Sequence, residues 1–160
     1  MSQCGYSIVT AAATALAAAV ARSILGAKAH ANSGLQVKGF SVSFDGVTAS
    51  AVPVVVELCY CTFASNSPGF GSPEASSQAA PVQNYGRVIA AAFTGGRAWT
   101  AEPTVLTPIL ETLLAADKGL LLFQFPLGQE PDCAAGEGFV LRCTAPAAVN
   151  VRGSMQLERI

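Results

Sequence analysis

Alternation of apolar and polar side chains is the feature that most limits the folds open to this chain of 160 residues. Phe40, Val42 and Phe44 are separated by single serines. Successive side chains of a β-strand point to opposite faces, so a period of two predicts strands that each bury one face. Related patterns occur in three further segments, at 52–61, 139–144 and 149–157.

About eight strands separated by turn signals are expected, since shorter apolar runs also occur near 23–29, 87–93 and 120–125. Asp45-Gly46 is a strong hairpin turn signal, and residues 23–61 therefore predict three consecutive antiparallel strands. Gly95-Gly96 predicts a turn, and residues 109–118 suggest a short helix. The fold class that follows is all-β, an antiparallel two-sheet sandwich of jelly-roll type.

Two stretches lack the periodicity of a strand with its own core. Residues 1–21 are rich in alanine and predict an N-terminal arm that orders against a neighbour. Residues 64–85 are rich in Ser, Pro, Gly and Gln and predict a long loop, a feature that in compact domains is usually functional or disordered. The expected organisation is an arm at 1–21 followed by one sandwich domain at 22–160.

Charge is scarce, because only 12% of the residues are charged and the formal net charge is -1. Soluble domains carry about 25% charged residues, so a monomer of this composition would have a sticky surface. We therefore expect other subunits to cover much of it. The nine basic residues are never adjacent, which argues against binding to nucleic-acid phosphates.

Targeting signals and cysteines are consistent with a protein made in the cytoplasm. No Lys or Arg precedes Arg22, so the apolar run at 8–20 does not have the basic start of a signal peptide, and it is too short to span a membrane. The cysteines number five, an odd count that argues against a disulfide framework. We expect reduced, mostly buried thiols and no metal or other cofactor.

Residues capable of catalysis are sparse, and no enzyme is predicted. His30 is the single histidine and lies in a turn region without an acid nearby in sequence. Glu130 and Asp132 could form a carboxylate pair, although two acids in a polar loop are usually solvated. Trp99 could stack on a sugar, but a core or interface role is favoured. Arg142 and Arg152 could pair with acids across the sheet or on another subunit.

Three segments together resemble a family of small structural proteins of tailed bacteriophages. They are Val37-Lys-Gly-Phe-Ser-Val-Ser-Phe-Asp-Gly46, Phe125-Pro-Leu-Gly-Gln-Glu130 and Leu141-Arg-Cys-Thr-Ala-Pro-Ala-Ala-Val-Asn-Val-Arg152. In the family a strand that ends in an aromatic-Asp-Gly turn is followed by a Thr-Ala-Pro hairpin and a strand that ends in an acid, here Gln156-Leu-Glu158. The likeness covers the two ends of the domain and not residues 64–116.

The resemblance implies a virion protein, and the size suits a capsid decoration or cement protein on the outer surface of a phage head. The partners so implied are the major capsid protein and two further copies of the chain in a trimer, with no nucleic acid and no membrane. The candidate contact residues are Tyr6, Phe70, Tyr85 and Trp99. The alternatives are a tail, neck or fibre component and a carbohydrate-binding module in which Trp99 and Tyr85 stack on the sugar.

Overall fold

The computed structural model describes residues 4–45, 52–68, 76–86, 88–104, 106–117 and 119–160. These residues form strands and connecting segments and contain no helix. The strands are β1 (Gly5–Val9), β2 (Thr14–Leu16), β3 (Ala21–Ala29), β4 (Leu35–Asp45), β5 (Val54–Cys61), β6 (Ser77–Gln78), β7 (Val82–Tyr85), β8 (Phe93–Arg97), β9 (Leu106–Leu114), β10 (Leu120–Gln124), β11 (Asp132–Cys133), β12 (Gly138–Thr144) and β13 (Val149–Arg159).

The strands form two antiparallel sheets. The first sheet has the order β10-β4-β13-β1-β7, with β11 also beside β4 and β2 also beside β13. The second sheet has the order β6-β8-β3-β12-β5-β9. The expectation of an all-β fold with two antiparallel sheets is confirmed, and the arrangement is that of a β-sandwich.

The main core lies between the inner faces of the two sheets. Phe40 and Met155 enter it from the first sheet, and Leu58 and Leu141 enter it from the second. The sheets approach closely, since a Cβ added at Gly153 of β13 would lie within 3.4 Å of side-chain atoms of the second sheet. The alternation in β5 is confirmed, because Val54, Val56 and Leu58 all belong to this core.

A second, smaller core lies outside the second sheet. Its buried members are Cys61, Phe63, Trp99 and Val140, and Leu106 packs against them. The odd-numbered residues of β5 face this side, so both faces of that strand are covered. The segments 62–68 and 98–104 form the cover, as shown by the hydrogen bond that Trp99 Nε1 donates to the Asn66 carbonyl at 2.8 Å.

Strands that follow one another in the chain do not pair as the sequence predicts. β3 and β5 lie in the second sheet, whereas β4 lies in the first between β10 and β13. The prediction of three consecutive paired strands in 23–61 is therefore wrong. The last two strands also belong to different sheets, so the segment between β12 and β13 crosses from one sheet to the other.

Several local assignments also change. The helix suggested at 109–118 is wrong, because Leu106–Leu114 forms the strand β9 beside β5. Gly95-Gly96 is not a turn but lies inside β8, where a Cβ at Gly95 would meet the Ala79 carbonyl oxygen at 2.3 Å. The described residues of 88–92 are not in a strand. The Asp45-Gly46 turn extends beyond the described residues.

The two stretches without periodicity are partly built into the sheets. Within the predicted arm, β1 lies between β13 and β7, and β2 pairs with β13. Within the predicted loop at 64–85, residues 69–75 lie outside the described part, and the remainder contains β6 and β7. The described part of 1–21 is thus continuous with the first sheet.

Candidate assembly surface

One lateral edge of the sandwich carries exposed apolar side chains on two strands. β9 ends the strand order of the second sheet and β10 ends that of the first, so neither has a further strand beside it among the described residues. Only residues 115–119 join the two strands, which brings their linked ends to the same edge of the molecule. An unpaired strand offers backbone donors and acceptors to another chain.

Alternation along these strands aims leucines at solvent. Leu110 and Leu114 of β9 pack on the core, so Ile109 and Leu113 face outward. Leu121 and Phe123 of β10 pack on the core in the same way, which leaves two outward leucines in this strand. Their exposed fractions are 69% for Leu120 and 68% for Leu122. Exposed Glu111 lies between Ile109 and Leu113 in β9, whereas the outward side chains Leu120 and Leu122 of β10 have no charge between them.

A tight turn follows β10 and presents a further leucine. The Gln129 N–H donates to the Pro126 carbonyl at 3.0 Å, and Gly128 has a φ of +82°. These features define a β-turn of residues 126–129 that needs glycine at its third position. Leu127 is 91% exposed at the tip. We call residues 126–129 the Leu127 turn.

A buried charge cluster holds the Leu127 turn to the first sheet. Lys38 Nζ lies 3.1 Å from Glu130 Oε1 and 2.8 Å from Glu158 Oε2, and it donates to Gln36 Oε1 at 2.9 Å. The carboxylates are almost fully buried, with side-chain exposures of 5% for Glu130 and 3% for Glu158. The second Glu130 oxygen accepts the Gly128 N–H at 2.6 Å. The turn is therefore held in place by contacts within the chain itself.

The cluster exists because of an irregularity in β4. The register between β4 and β13 shifts between Gln156 and Leu157, which leaves Lys38 as an extra residue in β4. Such a bulge re-aims a side chain. A hydrogen bond from its own backbone N–H, together with Lys38, holds the pKa of Glu130 below its ordinary value. The acid is therefore kept ionised beside the ammonium group.

An open groove of about 590 Å³ lies at the other end of the first sheet. Its apolar lining comes from β2 and the residues after it, and Arg22, Trp99, Thr100 and Glu102 complete it. Arg22 is held by the carbonyls of Trp99 and Ala15, at 3.0 Å and 2.5 Å. We call this the Ala17 groove; its lining residues are 15–17, 20–22, 99, 100 and 102.

The four predicted contact residues are not brought together. Tyr6 and Trp99 are buried, which corrects the expectation that these side chains reach a neighbour. Tyr6 hydroxyl donates to the Ile89 carbonyl at 2.8 Å, and burial raises the pKa of this phenol. Tyr85 is half exposed in β7 and covers Gly5, whose added Cβ would lie 2.1 Å from the Tyr85 ring. Phe70 lies outside the described residues.

Residues considered for catalysis are also dispersed. His30 Nε2 is 3.1 Å from the Thr94 hydroxyl, and Glu130 is occupied by Lys38 while Asp132 is exposed. All five cysteines are buried. Burial raises the pKa of Cys59 and of Cys133 to about 12, which keeps both thiols protonated.

Neither a metal cluster nor a membrane helix is found in the described part of the chain. No three His, Cys, Asp or Glu residues group there as metal ligands. The same residues include no helix of the length and hydropathy required to cross a bilayer.

The sequence reasoning missed the exposed edge. Leu120 and Leu122 were part of a very apolar strand, and an apolar run is compatible with burial on both faces. A strand buried on both faces differs from an exposed edge strand in having a neighbouring strand on each side, and the sequence does not show which strands are neighbours. Leu127 had a readable signal, since Pro126-Leu127-Gly128 is typical of a tight turn that exposes its second residue.

Comparison of the chain with protein-family models, with curated proteins and with solved structures finds no match.

Proposed function

We propose that this protein is a virion structural protein, a decoration or cement protein that binds the outer surface of a phage head and stabilises the shell. The observation that carries the proposal is the apolar edge formed by β9 and β10. Four large apolar side chains are exposed on these two edge strands. Unpaired strands with exposed apolar side chains favour contact with another chain.

The proposed topology is a jelly roll. Its support is the strand order, in which β1-β13-β4-β10 face β3-β12-β5-β9 and chain order alternates between the sheets at β3, β4 and β5. Eight strands in two such sheets are the jelly-roll pattern, which occurs in viral capsid domains and in lectins. Because one fold serves many functions, the topology is compatible with the proposal but does not select it.

Stabilisation would follow from mass action. A protein that binds only the assembled shell lowers the free energy of that state by linkage, and several copies joined as a trimer add avidity. We propose the major capsid protein as partner and a homotrimer as the binding unit. The low charge supports this, because a surface with few charges loses little hydration when it is covered.

In the carbohydrate-binding alternative, only one of the two proposed sugar-stacking residues is accessible. Trp99 is buried and its indole N–H is already bonded to the Asn66 carbonyl, so the ring face is not open to a sugar. Tyr85 alone remains half exposed. A tail, neck or fibre role uses the same apolar edge and is separated from the head role by the experiment below.

The test is cosedimentation of the protein with empty heads of the phage that encodes it and, separately, with tails of that phage. The variants Leu113→Lys and Leu122→Lys place a charge on each face of the apolar edge. Ala80→Lys is the matched control, since Ala80 is exposed and lies between β6 and β7, the strands at the opposite ends of the two strand orders from β9 and β10. We expect the wild type and the control to sediment with heads and both edge variants to lose at least tenfold in affinity.

Binding to tails but not to heads would show that the protein is a tail component and not a head decoration protein. Binding to neither would overturn the virion role. Equal head binding by Leu113→Lys, Leu122→Lys and the control would show that the apolar edge is not the contact. Circular dichroism of each variant confirms that the fold is intact, as expected for substitutions at exposed positions.

A further inference from the structure

We infer that the outward face of β9 in one copy packs into a trough on the outer face of the first sheet of a second copy, and that Glu111 of the first copy pairs there with Arg152 of the second. The inference rests on the proposed assembly of the protein with itself and deepens it, because it names the two surfaces that meet. The partner of each surface is thus a defined part of the same chain.

The trough lies between two rows of large side chains on the first sheet. Core residues alternate along β4 and β13, so Ser41 and Ser154 point outward, where they lie directly opposite each other. Leu122 of β10 lies opposite Ser41, and Val9 of β1 lies opposite Ser154. Both are exposed and larger than serine, so they form walls on either side. We call this the serine trough; its floor is Ser41, Ser43 and Ser154, and its walls are Leu120, Leu122 and Val9.

The floor of the serine trough is suited to burial. The Ser41 and Ser154 hydroxyl oxygens are 2.7 Å apart and hydrogen-bonded, and Gln156 Nε2 donates to Ser154 Oγ at 3.3 Å. Burying a polar group is costly when the group loses its hydrogen bonds, and these hydroxyls keep theirs when water is excluded. The walls gain from burial, because their apolar side chains leave water.

Arg152 supplies a positive charge beside the trough. It lies two residues before Ser154 on the same outward face of β13, opposite Ser43. Among the basic residues that the structure describes, only Arg152 is exposed. Complementary charges select the partner and the register of a contact. The matching occupant therefore carries an acid between apolar side chains.

The outward face of β9 has this composition. Glu111 is exposed between Ile109 and Leu113, which are exposed apolar residues of the same edge strand. Glu57 lies directly opposite Glu111 in β5, and its charge is balanced by Arg142 on the far side of that strand. Like charges opposite each other in adjacent strands are destabilising, so a cation from a second copy relieves the repulsion at Glu111.

The two surfaces also agree in spacing and size. Outward side chains two residues apart on a strand are about 7 Å apart, so with Glu111 above Arg152 an apolar neighbour of Glu111 lies above Ser154, between the two walls. β9 has nine residues, about 31 Å of strand, and the four strands that carry the trough are together about 19 Å wide. The contact is thus on the order of 600 Å² per copy, the lower end for specific interfaces.

One molecule cannot make this contact with itself. The serine trough is on the outer face of the first sheet, and the outward side chains of β9 are on the outer face of the second, so the two surfaces point in opposite directions. A contact between different surfaces of identical chains is heterologous, and it closes into a ring when the rotation permits. A trimer is one such ring.

Charge exchange between the two positions tests the contact. The variants are Glu111→Arg, Arg152→Glu and the double variant that carries both, and every change is at an exposed position, which the fold tolerates. Asp132→Arg is the matched control, since Asp132 is an exposed acid of β11 that belongs to neither surface. Light scattering over a concentration series measures the self-association of each free protein in the absence of heads.

We expect the wild type and Asp132→Arg to associate equally. Each single exchange variant brings like charges together and should weaken association at least tenfold. The double variant restores the pair with its signs exchanged and should associate within threefold of the wild type. The inference is overturned by a double variant as weak as the single variants, by single variants that associate like the wild type, or by a wild type that stays monomeric.

Cosedimentation with heads separates this inference from the proposed function. When both hold, each single exchange variant binds heads with reduced avidity and the double variant regains it. A wild type that associates as expected but does not bind heads removes the decoration role and leaves the subunit contact intact. A wild type that binds heads, with a double variant that does not regain association, removes the subunit contact and leaves the decoration role.

Discussion

Arg142 of β12 donates two hydrogen bonds to Glu57 of β5, from Nε at 2.8 Å and from Nη2 at 3.0 Å. The two residues are directly opposite in adjacent strands, and Glu57 is buried. The bond to Glu57 raises the pKa of Arg142 further. A bidentate pair of this kind needs the planar fork of arginine.

Removal of one partner should therefore cost more than removal of both. We expect Arg142→Met to destabilise the fold by about 3 kcal/mol, because it leaves the Glu57 carboxylate buried without its counter-charge. Arg142→Lys should lose about 1 kcal/mol, since charge remains without the fork. The double variant Glu57→Leu with Arg142→Met should regain most of the loss. Urea unfolding measures all three, and an equally unstable double variant would contradict the reasoning.

Acid should loosen the Leu127 turn through Glu130. The folded pKa of this acid lies below its ordinary value of 4.5, so its contribution to stability is present above that pH and is lost as the pH falls through the folded pKa. Glu130→Gln should thus be less stable than wild type at neutral pH and equal to it in strong acid. Asp132→Asn, at an exposed acid nearby, should follow the wild-type profile. Urea midpoints across the acid range provide the measurement.

Trp99 reports directly on the smaller core, because it is the single tryptophan of the chain. Its burial predicts blue-shifted fluorescence that iodide hardly quenches. Trp99→Ala should destabilise the protein by about 3–5 kcal/mol through the cavity that it leaves. Trp99→Phe should cost less but still lose the hydrogen bond to Asn66. Red, quenchable emission from the folded protein would contradict the burial of this side chain.

The cysteines should resist modification in the folded protein. Burial raises the pKa of Cys59, Cys61, Cys133 and Cys143, and the thiolate is the reactive form. We expect at most one thiol to react promptly with Ellman's reagent at neutral pH and all five to react in urea. Several fast thiols in the native protein would be inconsistent with the packing around them.

Alanine occupies the left-handed region at Ala11, Ala19, Ala92 and Ala98, with φ between 51° and 59°. This conformation costs a residue with a Cβ about 1–2 kcal/mol, and glycine is free of the cost. Ala11→Gly should therefore stabilise the fold by about 0.5 kcal/mol after the larger chain entropy of glycine is subtracted. Ala15→Gly in β2 should destabilise it. Urea unfolding of both variants checks the difference in sign.

The sequence predicts which residues of a strand share a face, but it does not predict which strands pair with each other. The two faces of β5 followed from Val54, Val56 and Leu58, because alternation is a property of neighbouring residues. The pairing of Phe40 with Met155 joins positions far apart in the chain. Nothing local to Phe40 distinguishes this partner from the next strand along.

Helix and turn signals failed where tertiary contacts outweighed them. Leu110, Leu113 and Leu114 have helical spacing, yet β5 offers this segment a full set of backbone partners. Gly96 marks a close approach, since a Cβ there would lie 2.7 Å from Trp99 Cη2. Tyr6 was expected at a contact because it lies in the segment at 1–21 without strand periodicity, and Trp99 because aromatic residues suit both cores and interfaces. Their environment, which the sequence does not contain, decides between the two.

The positions of β12 and β13 have a consequence for how the protein is made. Each lies inside its sheet, with β3 and β5 on either side of β12 and with β4 and β1 on either side of β13. During translation both sheets therefore exist as separate halves until the ribosome has delivered residues 138–159. Folding must wait for these strands, since non-local pairs form only after their partners are present. A chain that lacks residues 138–159 completes neither sheet of the sandwich, so only copies in which these strands have been made can fold.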